Sequence, residues 1–314
     1  MARNIKIIDK TVVILNMFVY RVDALCANFI DGMLLVSYGL AIALTLGYRV
    51  NVNNIDIWIH TTFSLMLFHL LYMVVYVIND VIDYRGARNL KPGIDSSFYQ
   101  LRPIYFFRSS KTIVAYFAIF YAVVIILIST LSRIPHPFVF AGIVALLAFL
   151  HSSQSISLRI ITFYLLRIAK YVYLSLFSYI FIIDGFYKNV LMISIVSLVI
   201  PYATYTTLNY VKQFSSEFKT RVLMILSISV FLLSSLLLLL GNALNCYSWR
   251  ELVRAIIVSY IFTVLPMVGV RQGLRKLLGA HSPTYHHHML RLFLGAILTI
   301  TILFFTLNIL GTIV

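Results

Sequence analysis

The sequence predicts an all-α integral membrane protein in which nine transmembrane helices surround a central cavity and the N-terminus is cytoplasmic. Its composition indicates the membrane, because 61% of the 314 residues are hydrophobic, 11% are charged and the mean hydropathy is +0.95. Soluble domains average about half apolar and about a quarter charged residues. The apolar stretches follow one another with only short breaks from about residue 24 onward, so residues 1–314 are expected to form a single transmembrane domain in the cell membrane.

Nine apolar stretches have the length of about 17 to 25 residues that a helix needs to cross a bilayer. They lie approximately at 24–47, 57–78, 112–131, 136–152, 160–183, 189–211, 222–241, 251–270 and 291–313. The segment before them has only a weak apolar run, broken by Asn16 and Arg21, so no signal peptide is expected.

The positive charges set the expected orientation. The chain has 25 Lys and Arg residues against 10 Asp and Glu residues, and 20 of the 25 fall nearest to loops on the side of the N-terminus. Loops rich in Lys and Arg stay in the cytoplasm, so the N-terminus is expected there. Topology explains the basic surplus, and no nucleic-acid partner is expected. The longest cytoplasmic loop, 79–111, is the expected active-site loop.

The end of span 2 carries the residues with the clearest chemistry, because residues 79–85 read NDVIDYR. If the helix continues, Asp80 and Asp83 share one face with Asn79. Two carboxylates so placed can hold Mg²⁺, which prefers oxygen ligands and binds substrate phosphates, while nearby arginines complement phosphate charge. The spacing alone leaves a second interpretation open, a solvated helix end whose acids pair with Arg85 and Arg88.

The NDxxD pattern, followed by Arg-Pro-Ile at residues 102–104, resembles the first motif of the UbiA superfamily of intramembrane prenyltransferases. The resemblance implies nine transmembrane helices, an active site facing the cytoplasm and Mg²⁺ as cofactor. It also implies transfer of an isoprenoid chain from a polyprenyl diphosphate to a hydrophobic or amphipathic acceptor, either a lipid or an aromatic compound. The chain departs from the family pattern at Ala87, where a third Asp is expected, and at 212–219, where Glu217 is the only acid of the second motif.

These departures leave several interpretations open. The protein binds a single metal, or Lys212, Lys219 and Arg221 replace the charge of a second one, or the donor is not a prenyl diphosphate. The last case fits an enzyme similar to polyprenyl-phosphate phosphoribosyltransferases, which keep an NDxxD-type first motif and lack the second acidic cluster. A non-catalytic lipid-binding or scaffolding member of the fold is a further alternative.

Polar residues also form stripes at helical spacing in two spans. Span 6 carries Tyr202, Thr206, Asn209, Gln213 and Glu217, and span 2 carries His69, Tyr72, Tyr76, Asn79 and Asp83. Such stripes are expected to line a wet interior cavity, because polar groups inside a membrane face the bundle or water. Ordinary hydrogen bonding between helices is the alternative.

Four further positions stand out inside or near spans. Asn28 and Asp31 lie in span 1, where an ionisable group either lines a cavity or forms a salt bridge with a neighbouring helix. Arg159 and His151 fall where the resemblance implies residues near the substrate, although Arg159 and Arg167 can equally act as anchors at the membrane interface.

The resemblance and the polar helix faces together indicate roles for these residues. Asp80, Asp83 and Asn79 are the expected catalytic residues, and with Glu217 they form the expected metal site. The residues expected to bind substrate are Arg85, Arg88, Arg102, Lys212, Glu217, Asn209, Gln213, Tyr76, Tyr202, Asn28, Asp31 and Arg159. The allylic cation is expected in a water-poor chamber lined by Tyr72, Tyr76, Tyr202 and Tyr205, whose ring faces favour positive charge.

The orientation can be tested by labelling single cysteines in protein from which Cys26 and Cys246 have been removed. Ser97→Cys should react with an impermeant thiol reagent only from the cytoplasmic side, and Ser132→Cys only from outside, because an odd number of spans separates them. Labelling of both cysteines from the same side would rule out the nine-span topology.

Overall fold

The computed structural model describes residues 22–50, 55–82, 110–131, 137–152, 156–183, 187–211 and 248–265, with isolated positions at 221, 225, 228, 229, 232 and 269. Within these residues the chain is helical and forms no β-strand, apart from a single antiparallel bridge between Val50 and Ile183. The predicted all-α class is therefore confirmed for the described part of the chain.

The described residues form seven helices. The first five are α1 (Val22–Thr45), α2 (Ile55–Ile82), α3 (Ser110–Leu131), α4 (Pro137–His151) and α5 (Ile156–Ile182). Helix α6 runs through an α-helical part (Tyr187–Ser194), a π-helical part (Ile195–Val199) and a second α-helical part (Ile200–Val211). Helix α7 consists of an α-helical part (Trp249–Ser259) and a π-helical part (Tyr260–Val264).

These helices lie at seven of the nine predicted spans, and the spans expected at 222–241 and 291–313 lie outside the continuously described residues. Four helical segments of the described chain are long and apolar enough to cross a membrane: Ala24–Thr45, Trp58–Ile78, Ser157–Ile180 and Lys188–Leu208. Helices α3 and α4 turn large apolar side chains outward, such as Ile119 and Phe149, which are 69% and 65% exposed. Apolar outer surfaces of this kind suit a lipid environment.

Local signals in the sequence explain two helix ends. Helix α1 ends in a Schellman motif, in which Gly47 adopts a positive φ of 73° and the amide of Tyr48 donates to the carbonyl of Ala43 at 2.9 Å. Helix α7 begins with a capping box, in which the Ser248 side chain accepts from the amide of Glu251 and the Glu251 carboxylate accepts from the amide of Ser248.

Helix α5 is the centre of the bundle, because it packs against α1, α2, α4 and α6. Helix α2 supports it through Phe68, whose ring lies 5.6 Å from that of Phe140 in α4 and 5.9 Å from that of Phe177 in α5. On the outer side of α2, the Tyr121 hydroxyl of α3 donates to the carbonyl of Leu71. These contacts of aromatic side chains join α2 to α3, α4 and α5.

The two π-helical parts meet at one serine. The Tyr38 hydroxyl of α1 donates to Ser197 Oγ at 2.7 Å, and the Tyr260 hydroxyl of α7 donates to the carbonyl of Ser197. The rings of Tyr38 and Tyr260 also make an edge contact at 5.6 Å. One π-helical turn of α6 is thereby bound to both α1 and α7.

Close packing of α1 against α5 requires glycine at position 39. A Cβ atom there would lie 2.3 Å from Tyr179 Cε1, and the Tyr179 ring cannot move away easily because its hydroxyl donates to the carbonyl of Leu35 at 2.7 Å. We expect Gly39→Ala to destabilise the protein by about 1 to 3 kcal/mol through overpacking. Gly142→Ala is the matched control, because nothing lies within 4 Å of its added Cβ. Unfolding of both variants in detergent micelles tests this, and equal midpoints would contradict it.

Candidate functional site

All four candidate spans contribute polar or charged side chains to one interior region. The contributing residues are Asn28 and Asp31 of α1, His69, Tyr72 and Tyr76 of α2, Arg167, Lys170 and Tyr171 of α5, and Tyr202 of α6. Ionisable groups inside a membrane are costly and usually functional. This interior polar cluster is therefore the candidate site.

A buried ion pair lies at the centre of the interior polar cluster. Lys170 Nζ lies 2.6 Å from Asp31 Oδ2, and the two side chains are 2% and 10% exposed. The Tyr202 hydroxyl donates to the other carboxylate oxygen, Asp31 Oδ1, at 3.1 Å. The sequence left open whether Asp31 lines a cavity or pairs with a neighbouring helix, and the structure shows the pair.

An aromatic ring lies beside the ammonium group of Lys170. The Lys170 Nζ lies 5.1 Å from the ring centroid of Tyr171, and the rings of Tyr171 and Tyr202 are 4.9 Å apart. Ring faces attract cations when water is excluded, so Tyr171 adds to the stabilisation from Asp31. Tyr202 thus has two roles, as a donor to the carboxylate and as part of the aromatic wall.

Asn28 joins the interior polar cluster through a histidine of α2. Asn28 Nδ2 lies 2.9 Å from His69 Nδ1, and both side chains are fully buried. Because an amide nitrogen can only donate, His69 Nδ1 is the acceptor in this hydrogen bond. The bond links α1 to α2 next to the Asp31 pair.

A small pocket opens beside this cluster, towards the end of the bundle where α2, α4 and α6 finish and α5 begins. Its volume is about 80 Å³, and its lining consists of Tyr72, Val75, Tyr76, His151, Phe163, Leu166 and Arg167. The Arg167 guanidinium lies over the Phe163 ring, 4.7 Å from its centroid. We call this space the Arg167 pocket.

The wall of the Arg167 pocket on the side of α4 is held by His151. Its Nδ1 donates to the carbonyl of Arg159 at 3.0 Å, which ties the end of α4 to the first turn of α5. The rings of His151, Phe163 and Tyr210 stack together at centroid distances between 4.3 and 5.8 Å. His151 and Arg159 therefore lie together at this end of the bundle, joined through the backbone of Arg159.

The Arg167 pocket lies below the acidic end of α2. Helix α2 continues to Ile82, so Asn79 and Asp80 are helical as the sequence required. Tyr76 precedes Asp80 by one helical turn, a rise of about 6 Å. The pocket and the start of the NDxxD motif therefore belong to the same end of the same helix.

The remaining predicted site residues divide into two groups. For Asn79, Asp80 and Asn209 the structure describes the helical backbone alone. Asp83, Arg85, Arg88, Arg102, Lys212, Gln213 and Glu217 lie outside the described residues. Within the described residues, no three His, Cys, Asp or Glu side chains come together as a metal site, and the expected Mg²⁺ ligands are not among the side chains described.

Arg167 and Lys170, which the charge count includes with their nearest loop, lie well inside α5, within the span expected at 160–183. Two expectations about individual residues need correction. Arg167 is not an interfacial anchor, since it lines the Arg167 pocket. Tyr205 is 59% exposed and stacks on Tyr202 from outside, so it does not belong to the buried chamber wall.

The ion pair should show strong coupling between its partners. We expect Asp31→Asn or Lys170→Met alone to destabilise the protein by about 3 to 5 kcal/mol, because each leaves a buried charge without its partner. The double variant should lose much less than the sum, since no charge is left unpaired. Unfolding in mixed micelles measures all three, and additive losses would show that the pair contributes nothing as a unit.

The described residues thus bring together a buried ion pair, a tyrosine-rich wall and a pocket containing a guanidinium group, next to the helix end that carries Asn79 and Asp80. Such a site can hold an anionic group and stabilise a cation close by, in a region with little water. Comparison with protein-family models, characterised proteins and solved structures finds no match for this chain.

Proposed function

We propose that this chain is an intramembrane prenyltransferase resembling the UbiA superfamily, with nine spans, a cytoplasmic N-terminus and Mg²⁺ as cofactor. It transfers an isoprenoid chain from a polyprenyl diphosphate to a hydrophobic or amphipathic acceptor. The observation that carries the proposal is the interior polar cluster, built by four apolar helices directly below the NDxxD motif of α2. Helices that served only to anchor a protein in lipid would not need polar and charged side chains in their interior, because burying such groups in a membrane is costly.

The acidic end of α2 is the proposed donor site. Helical continuation through Ile82 supports the spacing that lets Asp80 act together with Asp83, and Asn79 lies beside them. Bound Mg²⁺ would supply charge neutralisation for the diphosphate. Arg85, Arg88, Arg102 and Lys212 are the basic residues proposed to contact phosphate oxygens, which draws electron density from the allylic C–O bond as it breaks.

The tyrosines below the donor site are proposed to receive the allylic cation. Tyr72 and Tyr76 are in edge contact at 5.8 Å and line the Arg167 pocket, and Tyr202 lies beyond them against Tyr171. Their ring faces stabilise positive charge, and their close packing keeps out the water that would hydrolyse the cation. In this proposal, tyrosines in the interior of the helix bundle stabilise the cation, and the end of α2 binds the diphosphate.

One sequence feature favours a second candidate function. Residues Ala87, Gln213 and Ser216 stand where the family resemblance implies acids, so fewer ligands are present for a second metal. An enzyme similar to polyprenyl-phosphate phosphoribosyltransferases would take a soluble phosphoribosyl donor and use the lipid as acceptor. Assays with both donors separate the two reactions.

The metal assignment predicts a ranking of variants. We expect Asp80→Asn and Asp83→Asn each to slow transfer at least about tenfold, because each removes a carboxylate from the donor site. Glu217→Gln should cost less, because Glu217 lacks neighbouring acids.

The assay supplies purified protein with radiolabelled geranylgeranyl diphosphate or a phosphoribosyl donor, Mg²⁺ and membrane lipids. Unfolding midpoints verify that each variant is folded. Unchanged turnover in folded Asp80→Asn and Asp83→Asn protein would reject the metal site. Transfer from neither donor by folded wild-type protein would favour a non-catalytic lipid-binding role.

A further inference from the structure

The Arg167 pocket contains a positive charge that the described residues do not balance. Asp31 accepts from Lys170 on one oxygen and from Tyr202 on the other, whereas Arg167 forms no ion pair or hydrogen bond with a described residue. The interior polar cluster therefore carries two cations and one carboxylate among the described side chains. A net charge inside a membrane is expensive, and an anion beside Arg167 would offset that cost.

A hydroxyl group in the same pocket is also available. Tyr72 is 4% exposed, lines the Arg167 pocket and forms no hydrogen bond with a described residue. Because Tyr72 and Arg167 line the same pocket, the Tyr72 hydroxyl can act as a second donor to a ligand bound there. The Arg167 guanidinium packs over the Phe163 ring in this pocket, and its planar group carries several N–H donors.

Charge and size define what the Arg167 pocket can accept. One unbalanced cation matches one negative charge, and the planar guanidinium suits two oxygens on a single atom, as in a carboxylate or a phosphodiester. A volume of about 80 Å³ accommodates such a group but not the body of a lipid. The neighbouring apolar wall, formed by Val75 and Leu166, suits the chain to which the group is attached.

We propose that the Arg167 pocket binds a singly charged oxyanion at the head of an amphiphile, with Arg167 and Tyr72 as donors. This inference rests on the proposed function only in identifying that amphiphile with the acceptor of the reaction. The acceptor would then enter with its charged group about one turn below the diphosphate site. Its reacting atom would thereby lie beside the tyrosines that receive the allylic cation.

The test measures binding of fluorescent amphiphiles to the purified full chain, without Mg²⁺ and without prenyl diphosphate. Three probes share one alkyl chain and end in a carboxylate, a phosphodiester or a neutral alcohol. At least one anionic probe should bind more tightly than the alcohol. Arg167→Gln should weaken that binding at least about tenfold, through loss of a charged hydrogen-bonding partner. The probe that loses affinity identifies the head group.

Two further variants and one control keep the test decisive. Tyr72→Phe preserves the ring and should weaken the anionic probe about threefold or more, even if Arg167→Gln fails to fold. The Arg167→Lys variant should bind the anionic probe with intermediate affinity. Lysine keeps the positive charge but lacks the planar guanidinium, which can donate two parallel hydrogen bonds to one oxyanion. Arg254→Gln, an exposed charge on α7, should bind as the wild type does. Equal binding of the alcohol and both anions, or unchanged binding in folded Arg167→Gln and Tyr72→Phe, would overturn the proposal.

The outcome is independent of catalysis. If wild-type protein transfers no prenyl group but binds an anionic probe through Arg167, the proposed function fails and the anion site stands. If transfer occurs and Arg167→Gln leaves anion binding unchanged, the function stands and the anion site fails.

Discussion

The ion pair between Asp31 and Lys170 is the interaction on which the interior of this protein depends. In a medium of low dielectric constant, a carboxylate and an ammonium group 2.6 Å apart attract each other strongly, but only if both remain desolvated. That condition forces α1 and α5 into close contact at this depth. The Tyr202 hydroxyl then brings α6 to the same point, because it donates to the second oxygen of Asp31. Three helices are thus positioned by one carboxylate.

The polar interior and the apolar exterior of the bundle are formed largely by different helices. Helices α3 and α4 carry much of the exposed apolar surface of the described residues, whereas α5 supplies the cations Arg167 and Lys170 of the interior polar cluster and packs against four other helices. Along α5, Phe163, Arg167 and Lys170 follow one another at intervals of four and three residues and so share one face. The face that binds the neighbouring helices is also the face that carries the site. Packing and chemistry are therefore difficult to alter separately in this helix.

Periodicity and charge predicted much of this arrangement. The helical class, the position of Asp31 inside α1 and the inward faces of Tyr76 and Tyr202 all follow from apolar length and a spacing of three to four residues. The inward position of Lys170 and Arg167 was not predicted, because a charge count by nearest loop ignores which face of a helix a cation occupies. The spacing of Arg167 and Lys170 from Phe163 places all three residues on one helical face, and this pattern is visible in the sequence. Pairing across helices, such as Lys170 with Asp31, depends on three-dimensional packing and cannot be read from one sequence.

The π-helical turn of α6 has a consequence for the whole second half of that helix. Six residues with no exposed surface follow one face of α6 at intervals of four residues, except across the π-helical part, where the interval is five: Val190, Ser194, Val199, Ala203, Thr207 and Val211. One additional residue per turn resets the helical phase by about 100°. Tyr202 meets Asp31 only in this new phase. The π-helical turn that Tyr38 and Tyr260 bind therefore determines how the second half of α6 is rotated about its axis. Deleting one residue from this turn would move the Tyr202 hydroxyl away from the Asp31 carboxylate without changing any residue of the site.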